Sequence, residues 1–254
     1  MITLPGGCLL FDSQDGRVTK HGNCTSLLRI GRATGAKHVS QVVNSYTEGR
    51  SATVINPSSE EVLYVVDGEG CCHVNGFPYD LRPGMGVFVP PGAEYSIENR
   101  SATALVIVSA CCPEDPNRSV RDEPLTAALG ERPQLTVHSA QREKLPATAG
   151  REFCLMVDKD LGCQQVTQFV GWIPPSTAPF HFHTYEEVIF ILAGSGILHV
   201  EDESSPFTPG SSIYLPIRVR HCLENPGPAP LRLLGVFYPS GSPAAAYNVD
   251  SRSA

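Results

Sequence analysis

The apolar residues of this chain fall in short runs separated by turn residues. Two runs stand out, EEVLYVV at residues 60–66 and EEVIFIL at residues 186–192, and each ends in a Gly-x-Gly turn. Their β-branched and aromatic content predicts strands. Other segments alternate turns, short strands and proline-bounded loops. This texture predicts an all-β sandwich or barrel, and closure into a barrel would remove exposed strand edges.

A repeat with a fixed offset organises the chain. Residues 57–74 (PSSEEVLYVVDGEGCCHV) align without gaps on residues 183–200 (HTYEEVIFILAGSGILHV), at an offset of 126. The same offset carries a Pro-Gly pair, a proline and a Glu-Asn pair: Pro83-Gly84, Pro90 and Glu98-Asn99 fall on Pro209-Gly210, Pro216 and Glu224-Asn225. One register over this length predicts a duplicated domain. A charged, proline-rich linker at 111–134 places the boundary near residue 130, with domains at 1–130 and 131–254.

Composition narrows the classes of function. The net charge of −7 argues against nucleic acid as a partner, because no basic field exists to bind phosphates. No apolar run has the length of a membrane helix, so we expect no membrane partner. We see no secretory signal, and nine cysteines with adjacent pairs and no CxxC favour reduced thiols. We therefore expect a cytoplasmic protein.

Candidate chemistry gathers in the second copy of the repeat. His181 and His183 are one residue apart, so on a strand both imidazoles point to one face, and Glu187 keeps that parity. His221 arrives from a later strand. An HxH pair alone is commonly a surface feature and HxxxE a helical pair, but Pro174, Pro175 and Pro179 disfavour a preceding helix. Three imidazoles and a carboxylate would leave positions open on an octahedral ion.

This pattern resembles the two motifs of the cupin superfamily. The second copy reads His181-x-His183-x3-Glu187-x6-Gly194, followed by Gly210-x5-Pro216 and His221-x3-Asn225. Two departures concern turns rather than ligands: the glycine before the first histidine is absent, and Arg218 replaces the second motif's glycine.

The resemblance covers residues 35–110 and 160–240. It implies an all-β bicupin with two double-stranded β-helix (jelly-roll) barrels in tandem. It also implies one divalent transition metal per chain, bound by His181, His183, Glu187 and His221. Among Fe, Mn, Ni, Zn and Co we favour Fe.

The first copy lacks this ligand set. At the offset of 126, the three histidines correspond to Ile55, Pro57 and Tyr95, and only Glu61 remains. One carboxylate without imidazoles does not hold a transition metal tightly. We expect a metal-free barrel that covers or pairs with the second one, and a small-ligand pocket there stays open.

Two further residues are candidates for a substrate pocket. Trp172, the only tryptophan, would line the pocket, although a core aromatic is the commoner case. Arg218 would clamp a substrate carboxylate, or else be a solvated loop arginine.

Three classes of function fit. The first, which we favour, is an Fe(II)-type dioxygenase that cleaves a ring or diketone, because the chain resembles quercetinases and gentisate dioxygenases; Glu187 would then be catalytic as a proton acceptor. The second is a non-redox Mn, Zn, Ni or Co isomerase, hydrolase or lyase; ureidoglycine aminohydrolases are such bicupins, but with a different ligand pattern. The third is a binding or storage protein. We expect a small-molecule substrate and a homodimer.

Overall fold

The computed structural model describes residues 1–123, 125, 128–244 and 247–248. Within these residues the chain forms strands and 3-10 turns, and no α-helix. The strands in chain order are β1 (Ile2–Leu4), β2 (Cys8–Phe11), β3 (Arg17–His21), β4 (Cys24–Ile30), β5 (Gln41–Tyr46), β6 (Gly49–Arg50), β7 (Thr53–Ile55), β8 (Glu60–Asp67), β9 (Gly70–Val74), β10 (Phe77–Leu81), β11 (Met85–Val89), β12 (Glu94–Asn99), β13 (Leu105–Cys112), β14 (Ser119–Arg121), β15 (Thr136–His138), β16 (Leu145–Pro146), β17 (Glu152–Val157), β18 (Thr167–Ile173), β19 (Ser176–Thr177), β20 (His181–Phe182), β21 (Glu186–Ala193), β22 (Gly196–Val200), β23 (Glu203–Phe207), β24 (Ser212–Leu215), β25 (His221–Asn225), β26 (Leu231–Tyr238) and β27 (Tyr247–Asn248). The 3-10 turns are Pro5–Gly7, Arg32–Thr34, Ser139–Gln141, Thr148–Gly150 and Lys159–Leu161.

The strands form four antiparallel sheets, two in each half. The N-terminal half has one sheet in the order β15-β11-β8-β13-β5-β4-β3 and a second in the order β10-β9-β12-β7-β14, with β6 beside β12. The C-terminal half repeats the plan with β1-β2-β24-β21-β26-β18-β17-β16 and β23-β22-β25-β20-β27, with β19 beside β25. The expected all-β fold of two barrels in tandem is confirmed.

Strand pairing crosses the expected domain boundary in both directions. β2 pairs with β24, so residues 2–11 extend a sheet of the C-terminal barrel. β15 pairs with β11 and extends a sheet of the N-terminal barrel. The boundary near residue 130 stays a prediction, with the correction that β1 and β2 belong to a sheet of the C-terminal barrel and β15 to a sheet of the N-terminal barrel. Each barrel thereby covers an edge of the other, which protects it from unwanted pairing.

The two barrels share a core. The runs that form β8 and β21 are buried on both faces over Glu60–Val65 and Glu186–Ile191, which explains why their sequences do not alternate between apolar and polar residues. One apolar cluster draws residues from both halves: Tyr64, Val108, Cys154, Met156, Val170, Phe190 and Leu234. Burial of this cluster favours the paired arrangement of the barrels.

Two equivalent carboxylates reach across the interface. Glu60 accepts hydrogen bonds from the backbone N–H groups of Gln164 and Gln165, each at 2.8 Å. Glu186 accepts the backbone N–H groups of Lys37 and His38, at 3.0 and 2.9 Å. The two repeats therefore form equivalent sets of hydrogen bonds across the interface, and in each set a carboxylate of one barrel anchors a loop of the other.

Two further facts bear on the expectations above. None of the helical segments in the described residues has the length and apolar character to cross a membrane. All nine cysteines are free thiols.

Candidate metal centre

Three imidazoles meet inside the C-terminal barrel. His181 lies in β20, His183 follows it, and His221 opens β25, whose backbone pairs with that of His181. Their ligand nitrogens all lie within 4.8 Å of one another, and all three residues are buried. The structure therefore brings the predicted imidazoles to one point, as expected for a metal site.

Glu187, the fourth predicted ligand, lies beside this group. Its Oε2 is 3.3 Å from His183 Nε2, and its side chain is buried. It lines the same cavity as the three histidines. All four predicted ligands thus face one cavity, and the carboxylate of Glu187 lies beside the imidazole of His183.

Backbone carbonyls fix the tautomers of two of the imidazoles. His181 Nδ1 is 3.2 Å from the carbonyl oxygen of Pro179, and His221 Nδ1 is 2.8 Å from that of Val219. Because a carbonyl only accepts, each Nδ1 carries the proton and each Nε2 keeps its lone pair for a ligand.

Electrostatics also favour neutral imidazoles. Burial, with the neighbouring His183, lowers the pKa of His181 to about 4. Burial and the adjacent imidazoles hold the pKa of His221 well below its ordinary value. Both rings are therefore neutral at neutral pH, as metal ligands must be. Nitrogen ligands with one carboxylate fit a first-row divalent transition metal.

Arg218 does not reach this cavity. Its side chain is exposed, and its backbone N–H donates to the carbonyl oxygen of His183 at 2.8 Å. Its φ of 61° lies in the left-handed region, which explains why the family motif places glycine there. The prediction of a substrate clamp at Arg218 is therefore corrected: its backbone positions the loop that carries a ligand.

Trp172 also lies outside the cavity. Phe169, Gly171 and Ile173 of β18 line it, and alternation along a strand turns Trp172 to the opposite face. There Lys144 Nζ sits 4.2 Å from the centre of its ring. The expected pocket role is thus corrected to a contact on the outside of the sheet.

The cationic residue of the cavity is Arg151, which the sequence reading missed. Arg151 immediately precedes β17 and lines the cavity with His181 and Glu187. Its Nη2 donates to the carbonyl oxygen of Leu223 at 3.0 Å, while its buried Nε has no partner among the described residues. Burial lowers the pKa of Arg151. No sequence motif marks this position. The one available indication is that Arg151 lies two residues before Phe153, so that on an extended chain both side chains point to the same face, and Phe153 also lines the cavity.

Apolar side chains close most of the remaining wall. The cavity occupies about 550 Å³, counted with the part open to solvent. Its apolar lining includes Phe153, Phe169, Ile189, Leu223 and Phe237. A charged group bound here would have few partners besides the ligand residues, Arg151 and Glu152.

The strand register corrects the predicted equivalents in the first barrel. His221 pairs with His181, whereas Tyr95, at the position of His221, pairs with Val54. The histidines His181 and His183 therefore correspond to Val54 and Asn56, rather than to Ile55 and Pro57. The N-terminal copy has one more residue in the loop before β8, which shifts the offset from 127 to 126. Neither assignment supplies an imidazole.

A second group of potential ligands, Cys71, His73 and Glu98, lies in the N-terminal barrel. His73 Nε2 is 3.0 Å from Glu98 Oε2, and Arg100 shares the same carboxylate oxygen. The pair recurs as His199 and Glu224, at 2.7 Å. Because the pair repeats in both copies, we assign it to cross-strand structure.

With the geometry in place, comparison with known proteins identifies the family. Residues 46–111 and 169–237, together more than half of the chain, match the family model described as the cupin domain. This chain belongs to the cupin family. Each match falls in one barrel, so the protein is a tandem cupin.

The relatives in sequence match only in part. A protein of Methanocaldococcus jannaschii of uncharacterized function is 37% identical over 76 residues, which are 30% of this chain and 61% of that protein. A mannose-1-phosphate guanylyltransferase of Salmonella montevideo is 41% identical over 56 residues, 22% of this chain and 12% of that protein. The chain thus covers less than two thirds of either relative.

Solved structures match over nearly the whole chain. A mutant of the Bacillus subtilis oxalate decarboxylase superposes with a TM-score of 0.76 at 14% identity, covering 98% of this chain and 80% of that one. A protein of Pseudomonas aeruginosa described as glyoxylate-induced gives 0.72 at 16% identity, covering 95% and 92%. An oxalate decarboxylase of Lactobacillus farciminis in complex with formate gives 0.75 at 15%, covering 92% and 87%. At these identities the likeness establishes the fold alone.

Proposed function

We propose that this cupin is a metal-dependent enzyme that acts on a small organic acid in its C-terminal barrel. The observation that carries the proposal is one cavity lined by two imidazoles with fixed, unprotonated Nε2 atoms, a third imidazole, Glu187 and the guanidinium of Arg151. Storage or simple binding does not need such a ligand set.

The chain's own residues divide the work in this proposal. A substrate carboxylate binds the guanidinium of Arg151, because charge-assisted hydrogen bonds are strong in a site of low dielectric. The apolar walls exclude water around the reacting atoms. Glu187, beside His183, accepts a proton from the substrate as well as serving as a ligand. A bound divalent ion would supply polarisation of a substrate oxygen or, as iron, a site for dioxygen.

Two reaction classes share this site. The first is an iron-dependent dioxygenase acting on a phenolic or enolic acid, in keeping with the resemblance to gentisate dioxygenases. The second is a non-redox lyase, favoured by the fold shared with oxalate decarboxylases, of which the Bacillus subtilis enzyme has Mn(II) centres. A cytoplasmic location and a homodimer stay predictions.

Metal analysis with oxygen consumption separates these classes. The protein is purified anaerobically, its metals are measured, and oxygen uptake is followed with gentisate, catechol and acetylacetone. Carbon dioxide release from oxalate and 2-oxo acids is measured without oxygen. Iron with oxygen uptake supports the dioxygenase, and manganese with oxygen-independent decarboxylation supports the lyase. A metal-free protein inert in both assays refutes the enzyme proposal.

The role of Arg151 has its own test. For a turned-over acid, Arg151→Met is expected to raise KM by about 10- to 100-fold, as expected for the loss of a charge-assisted hydrogen bond. Arg218→Met is the matched control, because that side chain is exposed outside the cavity. Equal kinetics for the two variants and the wild type would exclude Arg151 as the carboxylate partner.

A further inference from the structure

The N-terminal barrel places a cationic side chain where the C-terminal barrel has its candidate metal centre. Arg118, just before β14, donates from Nη1 to Glu61 Oε2 at 2.9 Å and to Asn56 Oδ1 at 3.1 Å. Its Nη2 lies 3.3 Å from the hydroxyl oxygen of Tyr95. By strand register these three partners occupy the positions of Glu187, His183 and His221. The guanidinium therefore stands where the second barrel gathers its metal ligands.

This guanidinium is also open to a cavity. Arg118 lines the interior cavity of the barrel together with Glu61. Its side chain keeps 36% of its surface accessible, while that of Glu61 keeps 1%. Burial opposes the charge of Arg118, but the Glu61 carboxylate and Tyr95 together outweigh burial and raise the pKa of the guanidinium. Arg118 therefore presents a fixed donor surface to whatever enters.

The cavity wall carries polar side chains at positions where the second barrel has one phenylalanine and two glycines. Ser26 pairs across strands with Asn44, where the second barrel pairs Phe153 with Gly171. Ser109, on the same wall, stands at the position of Gly235. Asn44 bonds both hydroxyls, at 2.7 Å to Ser26 and 3.2 Å to Ser109. The space is about 1450 Å³ against about 550 Å³ in the second barrel, both counted with the part open to solvent.

The charges that line this cavity cancel. Three basic and three acidic side chains surround it: Arg17, Lys20 and Arg118, with Glu61, Glu114 and Asp115. Hydroxyl and amide groups supply most of the other polar surface: Thr19, Ser26, Ser40, Asn44, Tyr46, Ser51 and Ser109. Such groups both donate and accept hydrogen bonds. A wall of this kind suits a neutral molecule rich in hydroxyls better than an anion or an apolar compound.

We infer that the N-terminal barrel is a second, metal-free binding site for a neutral polyhydroxylated small molecule of the monosaccharide or polyol class. The Arg118–Glu61 pair forms its floor, and the cluster of Ser26, Asn44 and Ser109 forms one wall. The site is separate from the candidate metal centre, and its existence does not depend on the proposed reaction.

Calorimetric titration of the full chain tests this inference. The probes are D-glucose, D-mannose, D-xylose and myo-inositol, each at up to about 10 mM, which nearly saturates a site with a Kd of about 1 mM. Malonate is the anionic comparison. Asn44→Leu, which keeps the size of the side chain but removes its hydrogen bonds, is expected to weaken binding at least tenfold. Arg118→Met is expected to abolish it. Arg151→Met, in the other barrel, is the matched control and is expected to leave the affinity unchanged.

The calorimetric results either support or overturn the binding site in the N-terminal barrel. Binding of at least one of the four probes that is weakened by Asn44→Leu and kept by Arg151→Met supports it. Three results overturn it: no heat from any of the four probes, sugar binding unchanged in Asn44→Leu, or malonate binding to the Arg151→Met protein, in which the proposed carboxylate partner of the other barrel is removed, more tightly than every probe. Because Asn44→Leu leaves the Arg118–Glu61 pair intact, the test does not depend on the folding of Arg118→Met.

Discussion

Glu60→Gln is expected to weaken the contact between the two barrels without touching the metal centre. Glu60 is 4% exposed. Its Oε1 accepts the backbone N–H of Gln164 and its Oε2 that of Gln165, each at 2.8 Å. A glutamine side chain has one acceptor oxygen and one NH₂ group, so it accepts only one of these two N–H groups. The other backbone N–H group would then face the NH₂ group of the glutamine inside the interface, and two donors cannot pair with each other.

The expected loss of stability follows from this one unpaired N–H group. A buried donor without a partner costs about 1–3 kcal/mol. For a chain of this size a loss of 1 kcal/mol lowers Tm by about 2–4 °C, so Tm should fall by about 2–12 °C. Scanning calorimetry and urea unfolding measure the change. Glu203→Gln, on an exposed position of β23, is the control and should stay within about 0.5 kcal/mol of the wild type.

Glu186, the equivalent carboxylate of the other barrel, provides a second test of the same contact. Glu186→Gln should give a loss of similar size, because Glu186 anchors Lys37 and His38 in the same way. Metal content is measured alongside, since Glu186 adjoins Glu187. If both substitutions leave stability within about 0.5 kcal/mol of the wild type, the carboxylates do not hold the barrels together.

Two further predictions concern the metal centre. His221→Ala is expected to lose most of the bound metal while keeping its β-sheet circular dichroism, because the barrel core consists of apolar strands; His199→Ala, which removes a cross-strand imidazole of the same barrel, should keep the metal. Acidification is expected to destabilise the metal-free protein. The unfolded chain protonates its histidines near pH 6.5, whereas the folded pKa of His181 is about 4 and that of His221 is lowered too. Between these values the unfolded state binds more protons, so stability falls as the pH falls. An unfolding free energy that stays constant from pH 7 to pH 4.5 would contradict this. His221→Ala should reduce the slope of unfolding free energy against pH.

Local patterns predicted much of this molecule. The runs that became β8 and β21 are marked by β-branched and aromatic residues and by the glycines that end them, and these signals need no knowledge of distant contacts. The parity of His181, His183 and Glu187 follows from strand geometry. Together with His221 these residues form a set of candidate ligands that the sequence alone identifies, and the structure brings their side chains to one cavity.

Other features depend on pairing between distant segments. The sheet that receives residues 2–11 belongs to the far half of the chain, and no local pattern records that choice. Arg151 precedes its strand outside any motif, so only the closed barrel brings it to the cavity. The ungapped match from residue 60 onward contains no information on the extra residue upstream. The equivalents of His181 and His183 were therefore placed one residue too late.

The corrected register yields a last prediction, a second metal site built in the N-terminal barrel. The wild-type chain should bind one ion, since Arg118 fills the equivalent place in the first barrel and none of the three positions equivalent to the ligand histidines holds a histidine. The change combines Val54→His, Asn56→His and Tyr95→His, which supply imidazoles around Glu61, with Arg118→Ala, which removes the internal cation. Three imidazoles and one carboxylate would then face each other as they do around His221, a ligand set suited to divalent transition metals.

The control for this design uses the other register. Ile55→His and Pro57→His replace the first two substitutions, with Tyr95→His and Arg118→Ala retained. On a strand, neighbouring residues point to opposite faces, so these two imidazoles should not reach Glu61. Elemental analysis of the folded proteins, confirmed by calorimetry, should give two ions per chain for the design and one for the control. Two ions in the wild type, or a second ion in the control but not in the design, would show that the register and the place assigned to Arg118 are wrong.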